Sequence, residues 1–116
     1  MAFVHLHLHT EYSLLDGENR ISAIPDAVID GGMDACAITD HGVMYGVVDF
    51  FKACAAKGVK PIIGCEVYVA PRLMDQKDRL LDSDYSHLVL LAKNEIGYKN
   101  LVNIVSKAFT VGFYSK

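Results

Sequence analysis

The sequence predicts an α/β fold built from parallel βα units, and three observations carry that expectation. Apolar segments start at Val4, Ala35, Lys60 and His87, a recurrence of about 25–30 residues that leaves room for a helix between strands. Two of the intervening stretches show helical spacing of apolar residues closed by glycine. The segment 88–92 is apolar throughout, as expected of a strand covered on both faces.

Each element follows from its own residues. The first segment, "VHLHLH" at 4–9, alternates with period two and reads as a strand, with His5, His7 and His9 on one face and Leu6 and Leu8 on the other. Ser22 is placed to cap a short helix through Ile29, which Gly31 and Gly32 stop. A brief apolar strand follows at 35–39. Residues 43–57 put Val47, Phe51 and Cys54 on one helical stripe, with Gly58 ending the helix. The third strand, "KPIIGCEVYV" at 60–69, is entered through Pro61, where a missing N–H matters least. A fourth strand occupies 87–92, and Asn94 caps a last helix carrying Leu101, Val105 and Ala108 on one face. Only 71–86 breaks the rhythm. It is charged ("RLMDQKDRLLDSD") and long for a connection, so it reads as a solvated loop or a lid. Without repeats or low-complexity tracts, 1–116 is expected to form one portion of a single domain with no internal boundary.

Composition narrows the function classes. A chain of 116 residues, 52% of them hydrophobic, buries a modest core. Its 11 Lys and Arg against 14 Asp and Glu give a net charge of −3, which is not the cationic surface of a strong nucleic-acid binder. Cys36, Cys54 and Cys65 are scattered, as in a reduced cytoplasmic protein rather than a disulfide scaffold. The histidine-rich start lacks the pattern of a signal peptide. No apolar run approaches the roughly 18 residues of a membrane helix. The expectation is a soluble, cytoplasmic chain without membrane contact.

The chemistry-bearing residues cluster at strand ends. Alternate residues on a strand lie roughly 6.7 Å apart, while two imidazoles on one zinc ion need nitrogens about 3.3 Å apart. His7 and His9, leaning together, can close that gap, or each can serve its own ion. His5 lies deeper in the strand and reads as structural. In "AITDHG", Asp40 and His41 emerge where an apolar strand ends, the position at which parallel α/β folds assemble sites. Asp40 and Gly42 can equally form an ordinary turn there. Glu66 sits inside "IIGCEVYV", where a carboxylate is costly unless paired or bound to metal, or points outward at a sheet edge. Asp16 before Gly17 reads locally as a turn residue, and His87 alone reads as structural. Taken together, His, Asp and Glu side chains fall on or beside every predicted strand. Such mixed ligands suit zinc, manganese or iron rather than calcium, and clustered ions of this kind serve phosphate-ester hydrolysis.

Four stretches, "HLHLHTEYSLLDG", "ITDHG", "KPIIGCEVYV" and "HLVLLAKNEIGYKNL", together resemble the PHP (polymerase and histidinol phosphatase) family. Within it they resemble the branch attached to bacterial replicative DNA polymerases, over 3–116 and including the final "GFYSK". The resemblance implies a distorted (β/α)7 barrel whose C-terminal face holds up to three divalent ions. It makes His7 and His9 the first-motif ligands, Asp16 the following carboxylate, His41 the second-motif ligand, Glu66 the third-strand ligand and His87 a further one. It leaves His5 unassigned and puts Asp40 behind His41 as an orienting group. Later ligands of the family, including an Asp-x-His pair, fall beyond Lys116, so the chain resembles the N-terminal portion of a domain that fronts a much larger polymerase.

The resemblance implies a metal-dependent phosphoesterase, with 3′–5′ exonuclease action in DNA replication as its expected form. Its alternatives are a metal-stiffened structural module and a free-standing phosphatase of the histidinol-phosphate type. The polymerase-like "EYSLLDG" and "AKNEIGYKNL" stand against the last. Implied partners are the remaining polymerase domains, replisome subunits including the proofreading subunit, and DNA through the parent protein. The piece alone is expected to bind metal weakly and turn over little, because half a barrel carries only part of the metal shell, and its unpaired strand edge is expected to be prone to association.

Overall fold

A computed structural model of the chain describes residues 3–14, 17–78, 81 and 84–112. After a 3-10 turn at Ile21–Ala23 come α1 (Ile24–Asp30), β1 (Ala35–Ile38), α2 (Val47–Lys57), β2 (Lys60–Val69), β3 (Ser86–Leu91) and α3 (Glu95–Thr110). The class is α/β, as expected, with the strands in one sheet ordered β1-β2-β3.

The first two helices start later than the sequence pattern indicated. Ser22 lies inside the 3-10 turn and caps nothing; α1 begins with Pro25 in its first turn, where a missing N–H has no helical partner to lose. Helix α2 opens after Gly46 and buries Val47, Phe50 and Cys54. Phe51, expected on that stripe, is 55% exposed instead, because neighbouring residues on a helix point about 100° apart. Gly58 ends α2 in the left-handed region at φ 71, and the Val59 N–H then returns to the Cys54 carbonyl at 2.9 Å. Asn94 caps α3 as expected, its side chain accepting from the Gly97 N–H at 2.9 Å. Leu101 and Val105 of α3 are buried, whereas Ala108 is exposed.

Strands β1 and β2 are parallel, paired from Ala35↔Lys60 to Ile38↔Ile63, with α2 as their crossover. The segment at 4–9 is extended but forms no regular strand. It lies along the far side of β1 through a parallel bridge, His5↔Cys36, and the Thr39 N–H donates to the Leu8 carbonyl at 2.8 Å. Leu8 packs on the core while Leu6 is 48% exposed.

The parallel rhythm ends at β2. Strand β3 pairs antiparallel with it, from Gly64↔Leu91 to Val69↔Ser86. A parallel neighbour needs a crossover, usually helical, and the described part of 70–85 contains no helix. Nor is β3 covered on both faces, since Leu88 and Leu91 are 47% and 38% exposed.

Two apolar clusters hold the layers together. Ile21, Ile24 and Val28 meet Cys36 and Ile38 of β1 and Phe50 and Cys54 of α2. On the other side, Cys65 of β2 packs with Leu101 and Val105 of α3. No helix among the described residues is long and apolar enough to cross a membrane.

Candidate metal centre

The sheet delivers four imidazoles to one rim. Beyond β1 the chain keeps its register with β2: His41 bridges Glu66 in parallel, the Glu66 N–H donates to the Asp40 carbonyl at 3.0 Å, and the Gly42 N–H donates to the Glu66 carbonyl at 2.9 Å. The segment bearing His7 and His9 runs the same way, so its end reaches the same rim. Because β3 runs in reverse, its beginning lies there instead, with His87 opposite Tyr68.

Glu66, only 5% exposed, is the hub. Its Oε1 stands 2.7 Å from His7 Nε2. Its Oε2 stands 2.5 Å from His41 Nδ1 and 3.4 Å from both His9 Nε2 and His87 Nδ1. His9 and His41 are mostly covered, with side chains 17% and 21% exposed. His7 and His87, at 55% and 46%, leave the cluster open to solvent. Burial pushes the Glu66 carboxyl up, but the electrostatic interaction with His41, His7 and His9 and a hydrogen bond from His7 outweigh it, holding the group below its ordinary value.

This donor set fits a metal. Glu66 Oε2 is buried and accepts no well-aligned hydrogen bond from the described residues, a costly state that a bound cation relieves. Two groups share that carboxylate, His7–His9–Glu66 and His41–Glu66–His87, and within each the ligand atoms lie within 4.8 Å of one another. Imidazole nitrogen with carboxylate oxygen suits zinc, manganese or iron.

Among the sequence-predicted residues, the structure brings together His7, His9, His41, Glu66 and His87, whereas Asp16 lies outside the described residues. His5 is elsewhere, exposed and edge-on to Phe3 at 4.9 Å between ring centroids. Asp40 stands at the junction of the two histidine-bearing segments. Its carboxylate, 1% exposed, is engaged by the turn after His9: Oδ1 accepts from the Thr10 N–H at 2.5 Å and from Ser13 Oγ at 2.8 Å, and Oδ2 accepts from Thr10 Oγ1 at 2.7 Å. Ser13 Oγ in turn accepts the His41 N–H at 3.0 Å. Asp40 therefore reaches the His41 backbone through Ser13, and its main work is to pin the two histidine-bearing segments together.

Sequence reasoning missed Thr10 and Ser13, and also Tyr68 and Tyr85. Tyr68 lies two residues past Glu66 on the same strand face, a periodicity that could have flagged it. Its ring stacks parallel to His41, interplanar angle 4° at 6.5 Å, and stands edge-on to His87 at 5.1 Å. Gly42, at φ 63, makes room for that ring, since a Cβ there would lie 3.1 Å from Tyr68 Cε2.

The PHP domain profile matches residues 5–116. DNA polymerase III subunit alpha of Treponema pallidum is 48% identical over 117 residues, which covers 100% of this chain and 10% of that protein. The same subunit of Chlamydia pneumoniae is 49% identical over 118 residues, covering 98% and 9%. That of Thermus aquaticus is 46% identical over 120 residues, covering 100% and 10%. The chain thus spans about a tenth of the length of the curated relatives it matches. Among solved structures, an amidohydrolase from Chromobacterium violaceum with bound sulfate and no metal aligns over 94% of this chain and 35% of its own, with TM-score 0.59 and 23% identity. A Bifidobacterium adolescentis protein proposed to be a metal-dependent phosphoesterase aligns over 95% and 36%, with TM-score 0.59 and 18% identity. At such identities the likeness is one of fold. With the family model matching residues 5–116, nearly end to end, this chain belongs to the PHP domain family.

Proposed function

We propose that residues 1–116 are the N-terminal portion of the PHP domain of a bacterial DNA polymerase III alpha subunit, and that this rim holds divalent metal for phosphoester hydrolysis. The observation that carries the reading is Glu66, a buried carboxylate with four imidazole nitrogens within 3.4 Å. His7, His9, His41, Glu66 and His87 would hold the ions, with Asp16 as a further carboxylate. Bound zinc, manganese or iron supplies an activated water and positive charge for a phosphate in transition.

The chain's own residues prepare that chemistry. Burial fixes Glu66 between the two histidine pairs, and the Asp40 clamp keeps His9 and His41 at a set distance. Half-exposed His7 and His87 leave an approach for a phosphoester. On this reading the substrate is DNA, the reaction is 3′–5′ exonuclease action and the compartment is the cytoplasm; the similarity to DNA polymerase III alpha subunits supports the choice of DNA. The other polymerase domains, replisome subunits and the proofreading subunit are the partners of this reading.

The test uses the full-length polymerase chain and DNA labelled at its 3′ end. With manganese or zinc we expect release of terminal nucleotides, and in His41→Ala and Glu66→Gln we expect that release to fall at least 100-fold together with metal content. Absence of release from a preparation shown by elemental analysis to contain the ions overturns the hydrolytic reading. Variants that melt earlier but release nucleotides at the original rate favour the structural module.

A further inference from the structure

Beside the metal centre lies a group of aromatic rings that metal binding does not use. On β2, Glu66 and Tyr68 share one face; on β3, His87 stands opposite Tyr68, and the ring of Tyr85, which lies just before β3, reaches both. Tyr68 and Tyr85 meet edge to face, centroids 5.0 Å apart at 83°, and Tyr85 also touches His87 at 5.6 Å. Both tyrosines keep exposed surface, 44% for Tyr68 and 37% for Tyr85. Tyr68 is further steadied by its seat over Gly42. The pair is held by its neighbours and still wet.

We propose that Tyr68 and Tyr85 form a stacking platform for the 3′-terminal base of single-stranded DNA, positioning that nucleotide's phosphodiester at the Glu66 cluster. The proposal rests on the phosphoesterase reading above and adds the substrate contact which that reading lacks. The spacing supports it: Tyr68 lies one strand repeat, roughly 6.7 Å, beyond Glu66, so a base on its ring leaves the attached phosphate beside the carboxylate. The chemistry supports it as well. Aromatic faces bind any base, because every base presents a π-surface. With a net charge of −3, the chain offers little long-range attraction to a polyanion, so stacking is the affinity that these residues themselves can supply.

The test uses the full-length polymerase with two substrates, a short single-stranded oligonucleotide and a phosphodiester that carries no base, each with manganese. Tyr85→Ala and Tyr68→Ala are expected to raise KM for the oligonucleotide roughly 5- to 150-fold, at least five times more than for the base-free diester, with kcat much less affected. Tyr85→Phe and Tyr68→Phe are expected to restore the oligonucleotide KM, since the ring and not the hydroxyl stacks. Independently of turnover, an oligonucleotide with 5-iodouracil at its 3′ end is irradiated on the protein, and the adduct is expected on Tyr68 or Tyr85. Equal losses on both substrates, unchanged KM, or adducts confined to other domains overturn the platform. Adducts on these tyrosines without hydrolysis of either substrate by the parent protein leave the platform standing and remove the phosphoesterase reading.

Discussion

Asp40 shows how much of this centre depends on a residue that would hold no ion. Its carboxylate takes three hydrogen bonds from Thr10 and Ser13 in a site 1% exposed, and Ser13 passes the restraint to the His41 backbone. Hydrogen bonds to a buried charge contribute about 1.5–3 kcal/mol each, and leaving donors unmet costs a comparable amount. Asp40→Ala is therefore expected to destabilise the fold by about 3 kcal/mol or more, read from urea unfolding, and to weaken metal retention by a chelator more than a surface substitution does. Glu66→Gln has the opposite profile. It keeps the shape, removes the shared charge, and is expected to lose metal with little change in unfolding midpoint, as measured by elemental analysis and thermal melting. At this scale the sequence was informative because H-x-H alternation and a carboxylate inside an apolar strand each carry a physical cost that implies a partner. It was silent on Thr10 and Ser13, since a short hydroxyl side chain looks the same whether it clamps a site or faces water.

Among the elements, β3 departs most from expectation. Strand spacing shows where strands recur but not which way they run, and the clue lay in 71–86, where no helical pattern offers a crossover. Reversal is also what brings His87, near the start of β3, to the rim where β1 and β2 end. Close β2–β3 pairing depends on Gly64, where a Cβ would fall 2.6 Å from the Leu90 carbonyl oxygen and 2.8 Å from Leu91 Cδ2. Gly64→Ala is expected to cost about 1–3 kcal/mol and to loosen His87, so both the unfolding midpoint and metal affinity should fall. Retention of both would show that the strands separate without strain. The helices were readable to within a turn, because apolar spacing reports the buried stripe; Phe50 displaced Phe51 since two adjacent phenylalanines let either one continue the pattern.

Across the whole molecule, three thiols test how tightly the interior is closed. Cys36, Cys54 and Cys65 are all fully covered. Burial pushes the Cys54 and Cys65 thiols up to about 11, with the Cys36 thiol raised as well. The folded state thus favours the protonated thiols. Their contribution is complete below the ordinary value of 9.0 and is lost as pH climbs toward about 11. Unfolding free energy is expected to decline across that alkaline window, and alkylation of the native chain at pH 8 to be far slower than of the denatured chain. A rate equal to that of the denatured chain would mean that the interior opens freely. The (β/α)7 closure implied by family resemblance was never readable from strand rhythm alone, because ring closure depends on strand pairings that spacing along the sequence does not record.

The pairing of β2 with β3 also makes the centre sensitive to parity. Tyr68 and Glu66 face His87 only because the count of residues along β3 is in phase with theirs. With Leu90 packed against α3 and holding the end of β3, one residue inserted between 88 and 90 would move Leu88 into the place of His87 and send His87 to the opposite side of the sheet, erasing part of the donor set without altering any donor. A second inserted residue would restore the phase. Across related chains, length changes inside β3 should therefore come in even steps, whereas the connection before it can absorb either parity.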